Sequence, residues 1–520
     1  MSSANLDGDA NRETERGYSH RWRALAALYL AMFMTILDVS VVNLALPSIR
    51  TDLDASDSDV EWVLVVYVLV FAAALLPFGR FGDVAGRDRM FRWGVAGFSL
   101  SSLACGLAPD ISSLIMARAL QGLSAAALVP QVLAIVHVLF PDREKGRAIG
   151  LFGTVGALGA VAGPLIGGVL VSADIAGTGW RPIFLINLPI GLISMAAAFR
   201  YVPVLKSATR VMPDRRGTVL FALAVLTLVF PLVEGRQFGW PIWCFGLVAL
   251  GAVFGGLFYR QQLRNARTGR AQLLPVVLTR DRIFVAGVLY SSVFFSCLAG
   301  LFFMLAIYLQ SGLGLTPLEA GMMLAAHPAG VILASYATGR LGGRLPVLRI
   351  TLGTLAVLGG LVAFWLVAGG SGSSGVPVGL LLPLLAVGLG TGTLIPALFQ
   401  HVLSRVSGTD AGAGAGVLQA FQQVGMALGV AIQGQIFFQV LGHAPEAADY
   451  LPAARMTLAY PIAVLAVLPV TVGVALAPWR AFAGSRGLGG AGAAKKCPRG
   501  HVMSAGARQG MAAALANRDG

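Results

Sequence analysis

Long apolar runs, broken by short polar stretches rich in arginine, repeat along the whole chain. A helix needs roughly 20 apolar residues to cross a bilayer. About fourteen stretches meet that criterion. They lie near 24–46, 62–79, 92–108, 112–134, 147–171, 182–201, 217–233, 241–259, 283–306, 319–339, 349–368, 377–400, 413–440 and 457–478. The stretches 92–108 and 217–233 are short for spans. The longest polar connections, 202–216 and 260–282, bracket the seventh and eighth spans and leave six on either side. This predicts an all-α polytopic membrane protein of about 14 transmembrane helices, with two six-helix bundles and two intervening helices, a common transporter plan. The expected segments are 1–22 (cytoplasmic), 23–202 (first bundle), 203–282 (linker region with the two extra helices), 283–480 (second bundle) and 481–520 (a disordered cytoplasmic tail rich in Gly, Ala and Arg). Residues 1–21 are polar and lack an apolar signal-peptide core, so the first span is expected to serve as an uncleaved anchor.

Composition agrees with this pattern. Of 520 residues, 56% are hydrophobic and 12% charged, against about 25% charged in soluble domains. Mean hydropathy is +0.77. The formal charge of +14 would suit nucleic acid, but the basic residues sit between spans. With both termini inside, the inner segments hold Arg12 to Arg23, Arg80 to Arg92, Arg143 to Arg147, Arg200 to Arg216, Arg260 to Arg282, Arg340, Arg344, Arg349 and Arg405. The outer segments hold only Arg50, Arg181, Arg236 and Arg455. The positive-inside rule then gives cytoplasmic termini and an even number of spans. Cys105, Cys244, Cys297 and Cys497 have no metal spacing, and "CPRGH" in the tail is a weak metal cue.

Charge within the spans is rare and therefore informative, because it is costly there. Asp38 lies in the first span and Arg118 in the fourth. They are candidates for proton coupling, since a proton can compete with Arg118 for the carboxylate; a fixed structural pair is the other reading. Secondary candidates are Glu61 and Glu234 near outer helix ends, where solvation is expected, His327 beside Pro328, and Asp410 at the start of the thirteenth span. That span carries Gln419, Gln422, Gln423, Gln433 and Gln435 but no carboxylate, which disfavours dications as cargo. Phe294, Phe295, Phe302, Phe303, Met304, Phe421 and Phe437 can line an apolar pocket, with most expected against lipid or neighbouring helices.

Two loops look like copies of one motif. "GRFGDVAGRDR" begins at Gly79 and "GRLGGRLPVLR" at Gly339, each after the second span of its half, with Gly343 where the first has Asp83. Gly79, Arg80, Gly82, Asp83, Gly86, Arg87 and Arg89 match the loop signature of the major facilitator superfamily. "LDVSVVNLALPSI" (37–49), "RALQGLSAAALVP" (118–130), "GALGAVAGPLIGG" (156–168) and "WRPIFLINLPIG" (180–191) resemble signatures of its fourteen-span drug:proton antiporters of the EmrB/QacA type, over most of 20–480. The resemblance implies that Asp83 takes part in a switchable latch with Arg87 and the helix starting near Gly412; a merely basic loop is the plainer reading. Gly150, Gly153, Gly156, Gly159, Gly163 and Gly167 share about half a helix surface, followed by Gly168, and such a face permits close packing. The resemblance makes Gly163–Pro164 an exporter feature, a bent helix that favours outward delivery.

The expected function is proton-driven export of amphipathic drugs or antibiotics across the bacterial cytoplasmic membrane, by a protein functional as a monomer. A dedicated exporter of an endogenous metabolite or self-made antibiotic is the alternative. The partners are the small substrate, protons and lipid, with no nucleic acid. Neither HExxH nor GxSxG occurs, which speaks against a membrane enzyme. No GxxxxGK[ST] loop occurs, so no cofactor is expected and the proton gradient supplies the drive. The intact Asp38, Arg118 and Gly163–Pro164 set speaks against a sensor that borrowed the fold.

Overall fold

The computed structural model describes residues 18–205, 214–235, 238–339, 345–368, 378–406, 411–442 and 445–471. Residues 1–476 form one compact unit; the second, 477–520, lies wholly outside the described residues, as do Asp410 and Gly343. The side chains of Arg80 and Asp83 also lie outside the described ones.

The helices are α1 (Arg21–Asp52), α2 (Asp57–Ala85), α3 (Arg87–Gly106), α4 (Ile111–Leu139) and α5 (Asp142–Ser172). A turn of helix at Pro182–Leu185 leads into α6 (Asn187–Tyr201). Then come α7 (Arg215–Glu234), α8 (Ile242–Arg267) and α9 (Arg282–Ile307). α10 has two segments, Pro317–Leu324 and Ala326–Gly339, and is followed by α11 (Pro346–Val367), α12 (Leu381–Leu403), α13 (Ala411–Leu441) and α14 (Tyr450–Thr471). Among the described residues, 12 helices are long and apolar enough to cross a membrane. α3 and α5 fall outside that set. Arg87, Asp88, Arg89 and Arg92 crowd the start of α3, and the apolar stretch found in α5 is Leu158–Ser172.

Several helices outrun their apolar windows because polar caps extend them. Ser56 and Asp59 form a reciprocal capping box that starts α2 ahead of position 62. Asp110 with Ser113 does the same for α4, and Thr316 with Glu319 for α10. α14 begins at Tyr450, seven residues before the expected 457. Gly86 joins α2 to α3 at φ 98°, a conformation that needs glycine.

α1 packs on α5 and α6, and α4 on α2 and α3; α9 packs on α13, and α12 on α10 and α11. α2 and α13 form the most extensive contact between these two sets, joined by α5 with α10 and α1 with α9. These contacts gather toward the end where α1 finishes. There Gln310 Nε2 donates to the Leu44 carbonyl (2.8 Å) and the Leu318 amide donates to Ser172 Oγ (3.2 Å). A Cβ at Gly168 would lie 2.8 Å from Leu318 Cα, and one at Gly321 would strike the Pro164 carbonyl.

α7 packs against both α2 and α13, and α8 lies mainly on α7. Trp62 Nε1 donates to Glu234 Oε1 (2.6 Å) and Gln435 Nε2 to the Val233 carbonyl (3.0 Å). At the other end of the hairpin, Asp214 caps the Gly217 amide (2.9 Å) and accepts from Gln262 and Asn265, both at 2.8 Å. Those amides are buried, and an orphaned buried polar group costs about 1–3 kcal/mol. Asp214→Ala is therefore expected to lower the thermal unfolding temperature of the purified protein in detergent, and Asp214→Asn to lower it less.

Candidate functional site

The two charges singled out within the spans meet. Arg118 Nη1 donates to Asp38 Oδ2 at 2.6 Å, and both residues are 1% exposed. α1 supplies the acid and α4 the base. Gln121, one turn beyond Arg118, takes Nη1 on its Oε1 (2.6 Å) and donates from Nε2 to Asp38 Oδ1 (2.8 Å). Asn187 of α6 donates to the same Oδ1 (2.9 Å). Both amides also donate to Ser102 Oγ of α3, at 3.2 and 2.9 Å, and Ser102 donates to the Phe184 carbonyl (2.9 Å). α2 completes the cage. Its Val63 carbonyl accepts from Arg118 Nε (3.1 Å), and the Tyr67 ring lies 4.4 Å from the guanidinium carbon.

Burying either charge alone is prohibitive, so pairing and the hydrogen bonds around the pair are what make this network tolerable. The carboxylate accepts three donors. Either charge without the other would lie buried and uncompensated. The network draws its groups from five helices.

Tyr67, 2% exposed, also forms part of a cavity of about 540 Å³, within the roughly 300–1,000 Å³ of small-molecule sites. The cavity lies between the two helix sets and extends toward the ends where α4 and α12 finish and α13 begins, at Leu133, Leu403 and Ala415. Phe71, Phe295, Phe302 and Phe399 give it aromatic walls. Asn43, His327, Gln419, Gln422 and Gln423 give it polar points. Neither Asp38 nor Arg118 lines it.

α5 supports this arrangement. Cβ atoms built at Gly159 and Gly167 would lie 3.0 Å from Ile36 and Val41 of α1, and one at Gly163 would strike Ser40. Gly156 faces Ile36 as well. Gly168 faces α10 instead, and Pro164 lines the cavity. The surroundings of Gly150 and Gly153 lie outside those described.

Other expectations fare differently. Glu61 is not a solvated helix-end residue: it is 0% exposed and lies against Gly434 of α13. Glu234 is half-buried and accepts from Trp62 Nε1 on its Oε1. His327 lines the cavity, with its ring edge-on to Phe302 (4.8 Å) and its Nε2 3.4 Å from Thr391 Oγ1. Arg349 lies in α11, 5% exposed, and not in a loop. Phe294, Phe303, Met304 and Phe437 are buried against neighbouring helices, one of the two surroundings expected of them, and Phe295 lines the cavity. In the motif loop Arg87 Nη1 donates to the Ala134 carbonyl (3.1 Å), while Arg89 is exposed. Gly79 and Gly82 bring α2 close to Pro130 and Gln131 of α4. Asp88, not singled out from the sequence, is 1% exposed and accepts from the Leu205 amide (3.1 Å), tying the loop to the linker. Gln121, Asn187 and Tyr67 were also missed. The first two stand inside the quoted "RALQG" and "INLPIG" stretches, where a polar residue in a span was the available signal.

Two helix sets with a cavity between them are a common transporter plan. The chain belongs to the major facilitator superfamily, whose family model matches residues 28–430. It is 40% identical over 349 residues to the probable actinorhodin transporter of Streptomyces coelicolor, covering 67% of this chain and 59% of that protein. It is 33% identical to multidrug resistance protein Stp of Mycobacterium tuberculosis, covering 62% and 60% of the two chains. It is 34% identical to the methylenomycin A resistance protein of Streptomyces coelicolor, covering 68% and 71%. The chain thus spans about three fifths of the length of the first two. Its fold resembles the crystal structure of the POT family transporter PepTSo (TM-score 0.64, 13% identity, 87% of this chain and 98% of that one). It also resembles a bacterial homologue of the human lysosomal transporter Spinster (TM-score 0.62, 17% identity, 88% and 97%).

Proposed function

We propose that this protein is a proton-coupled antiporter that exports amphipathic drugs or antibiotics by alternating access, in the manner of the fourteen-span EmrB/QacA type. The observation that carries the reading is the pairing of two features that share Tyr67: a large, mostly apolar cavity and a sealed Asp38–Arg118 network. The relatives' names, for a resistance protein, a multidrug resistance protein and an antibiotic transporter, support drugs as cargo. On this reading α3 and α5 cross the bilayer with the other twelve helices, and the arginine-rich ends face the cytoplasm, as do both termini. Residues 23–202 and 283–480 are the moving halves, with the α7–α8 hairpin between them. The membrane is the bacterial cytoplasmic membrane, the working unit is a monomer, and no cofactor takes part.

In the cycle, cargo occupies the cavity from the cytoplasmic side, where the cavity extends. The contacts around Gly168, Gly321 and Gln310 close the far side. Those contacts must part for release. Proton uptake by Asp38 on the outer-facing form loosens Arg118 and the amides around it, and loss of that proton to the cytoplasm restores the cage. Glu61, buried at the α2–α13 seam, and His327 are the secondary proton sites; Asp83 and Arg87 are the inner latch.

A narrower reading, dedicated export of one endogenous antibiotic, is favoured by the relative named for a single compound at 40% identity. One panel separates the two readings. In a bacterial host stripped of its own exporters, the broad reading expects raised tolerance to several unrelated amphipathic drugs, abolished by a protonophore. The narrow reading expects tolerance to one compound class. No change in tolerance or accumulation for any compound tested would count against export altogether.

A further inference from the structure

Among the described residues, the cavity wall carries no Asp, Glu, Lys or Arg. In a chain with an ion pair one residue layer away this is a selective arrangement, because Tyr67 stands between the cavity and Arg118. The polar points are concentrated on one element. Gln419, Gln422, Gln423 and Met426 fall at i, i+3, i+4 and i+7, one face of α13. The side-chain amides of the three glutamines make no hydrogen bond to another described group and open onto the cavity. Gln433 and Gln435, further along α13, spend theirs on backbone carbonyls of Ser296, Cys297 and Val233. The ladder amides thus open onto the cavity uncommitted to the protein, each with an acceptor and two donors for a molecule that brings the complementary groups.

We propose that the α13 glutamine ladder selects neutral, flat aromatic cargo bearing carbonyl or hydroxyl groups, and that permanently charged cations are rejected. The proposal rests on the export reading only in taking this cavity as the cargo site. A carboxamide offers one acceptor and two donors without net charge, and Phe295 and Phe302 offer ring contacts. A cation would lose its hydration with no counter-charge to meet it. The surrounding rings recover part of that loss by cation–π attraction, but a desolvated ion needs a partner charge to offset the rest.

Two probes share one tricyclic frame: 10-methylacridone, neutral with a carbonyl, and 10-methylacridinium, permanently charged. Their binding is measured by fluorescence anisotropy with the full chain in lipid nanodiscs. The wild type is expected to bind the acridone at least about tenfold more tightly than the acridinium. Gln423→Leu is expected to weaken acridone binding. Gln422→Glu and Gln423→Glu are each expected to tighten acridinium binding, the former at the more solvated position, where an introduced carboxylate stays ionised more readily. The proposal is overturned if the wild type binds the cation as well as the ketone, if it binds neither, or if both glutamate variants keep the wild-type melting temperature and cation affinity. Binding is read without transport. A protein that prefers the acridone yet moves no drug would sink the export reading and leave this selectivity standing; one that exports the acridinium would do the reverse.

Discussion

Arg118→Met is expected to abolish export and to cost about 3–5 kcal/mol of stability, the penalty for leaving one member of a buried ion pair alone. The loss is large because Arg118 serves four partners at once: Asp38, Gln121, the Val63 carbonyl and the Tyr67 ring. Removing it strands Asp38, 1% exposed, without a counter-charge. Arg118→Lys is expected to keep part of the stability but not the transport, since one ammonium cannot reproduce the fork whose Nη1 and Nε reach partners on three helices. The double variant Asp38→Asn, Arg118→Met supplies the internal check. With both charges gone, it is expected to melt at a higher temperature than Arg118→Met alone and still not transport. Thermal unfolding in detergent across the four-protein cycle measures the coupling directly. Additive effects of the two substitutions would mean that the pair seen here contributes no coupling energy.

Gly321→Leu has the second large effect. Position 321 faces the Pro164 carbonyl, and Gly168 faces Leu318 from the opposite wall. These are backbone-to-backbone approaches, so a side chain has nowhere to fold away. Overpacking costs typically about 1–3 kcal/mol, and here it is released by parting the two helix sets at this end. The variant is expected to hold the far side open and to stop turnover. Spin labels at the exposed positions Ile175 and Ala448, in a Cys497→Ser background, report the opening by electron–electron double resonance. The separation should lengthen in Gly321→Leu and in Gly168→Leu. An unchanged separation with normal transport would show that this contact is not a closing surface.

The apolar periodicity was enough to place helices, and the rarity of charge was enough to pick out Asp38 and Arg118. Helix ends were harder, because capping boxes at Ser56, Asp110 and Thr316 carry helices past the apolar windows. Gln121 and Asn187 were hidden because neutral amides do not stand out by charge, although they complete the carboxylate cage. Glu61 was misjudged from its place near a helix end; tertiary contact with Gly434 buries it. The glutamines of α13 show the limit most plainly. At 100° per residue, Gln433 falls on nearly the same face as Gln419. Yet Gln433 meets α9 where Gly300 and Gly429 bring the two helices together, while Gln419 faces the cavity. No period within α13 encodes where α9 comes close.

On the export reading, drug and proton exchange through a cycle that needs the Asp38 carboxylate. The most direct measurement uses proteoliposomes with an imposed proton gradient and a pH-sensitive dye, adding a neutral aromatic drug to wild type and to Asp38→Asn. That substitution keeps the shape of the side chain and removes its charge. The account predicts drug-dependent proton movement in the wild type and none in Asp38→Asn, with drug binding retained because Asp38 does not line the cavity. Drug-dependent proton movement that persists undiminished in Asp38→Asn would contradict it and move the proton site to Glu61, His327 or another acid.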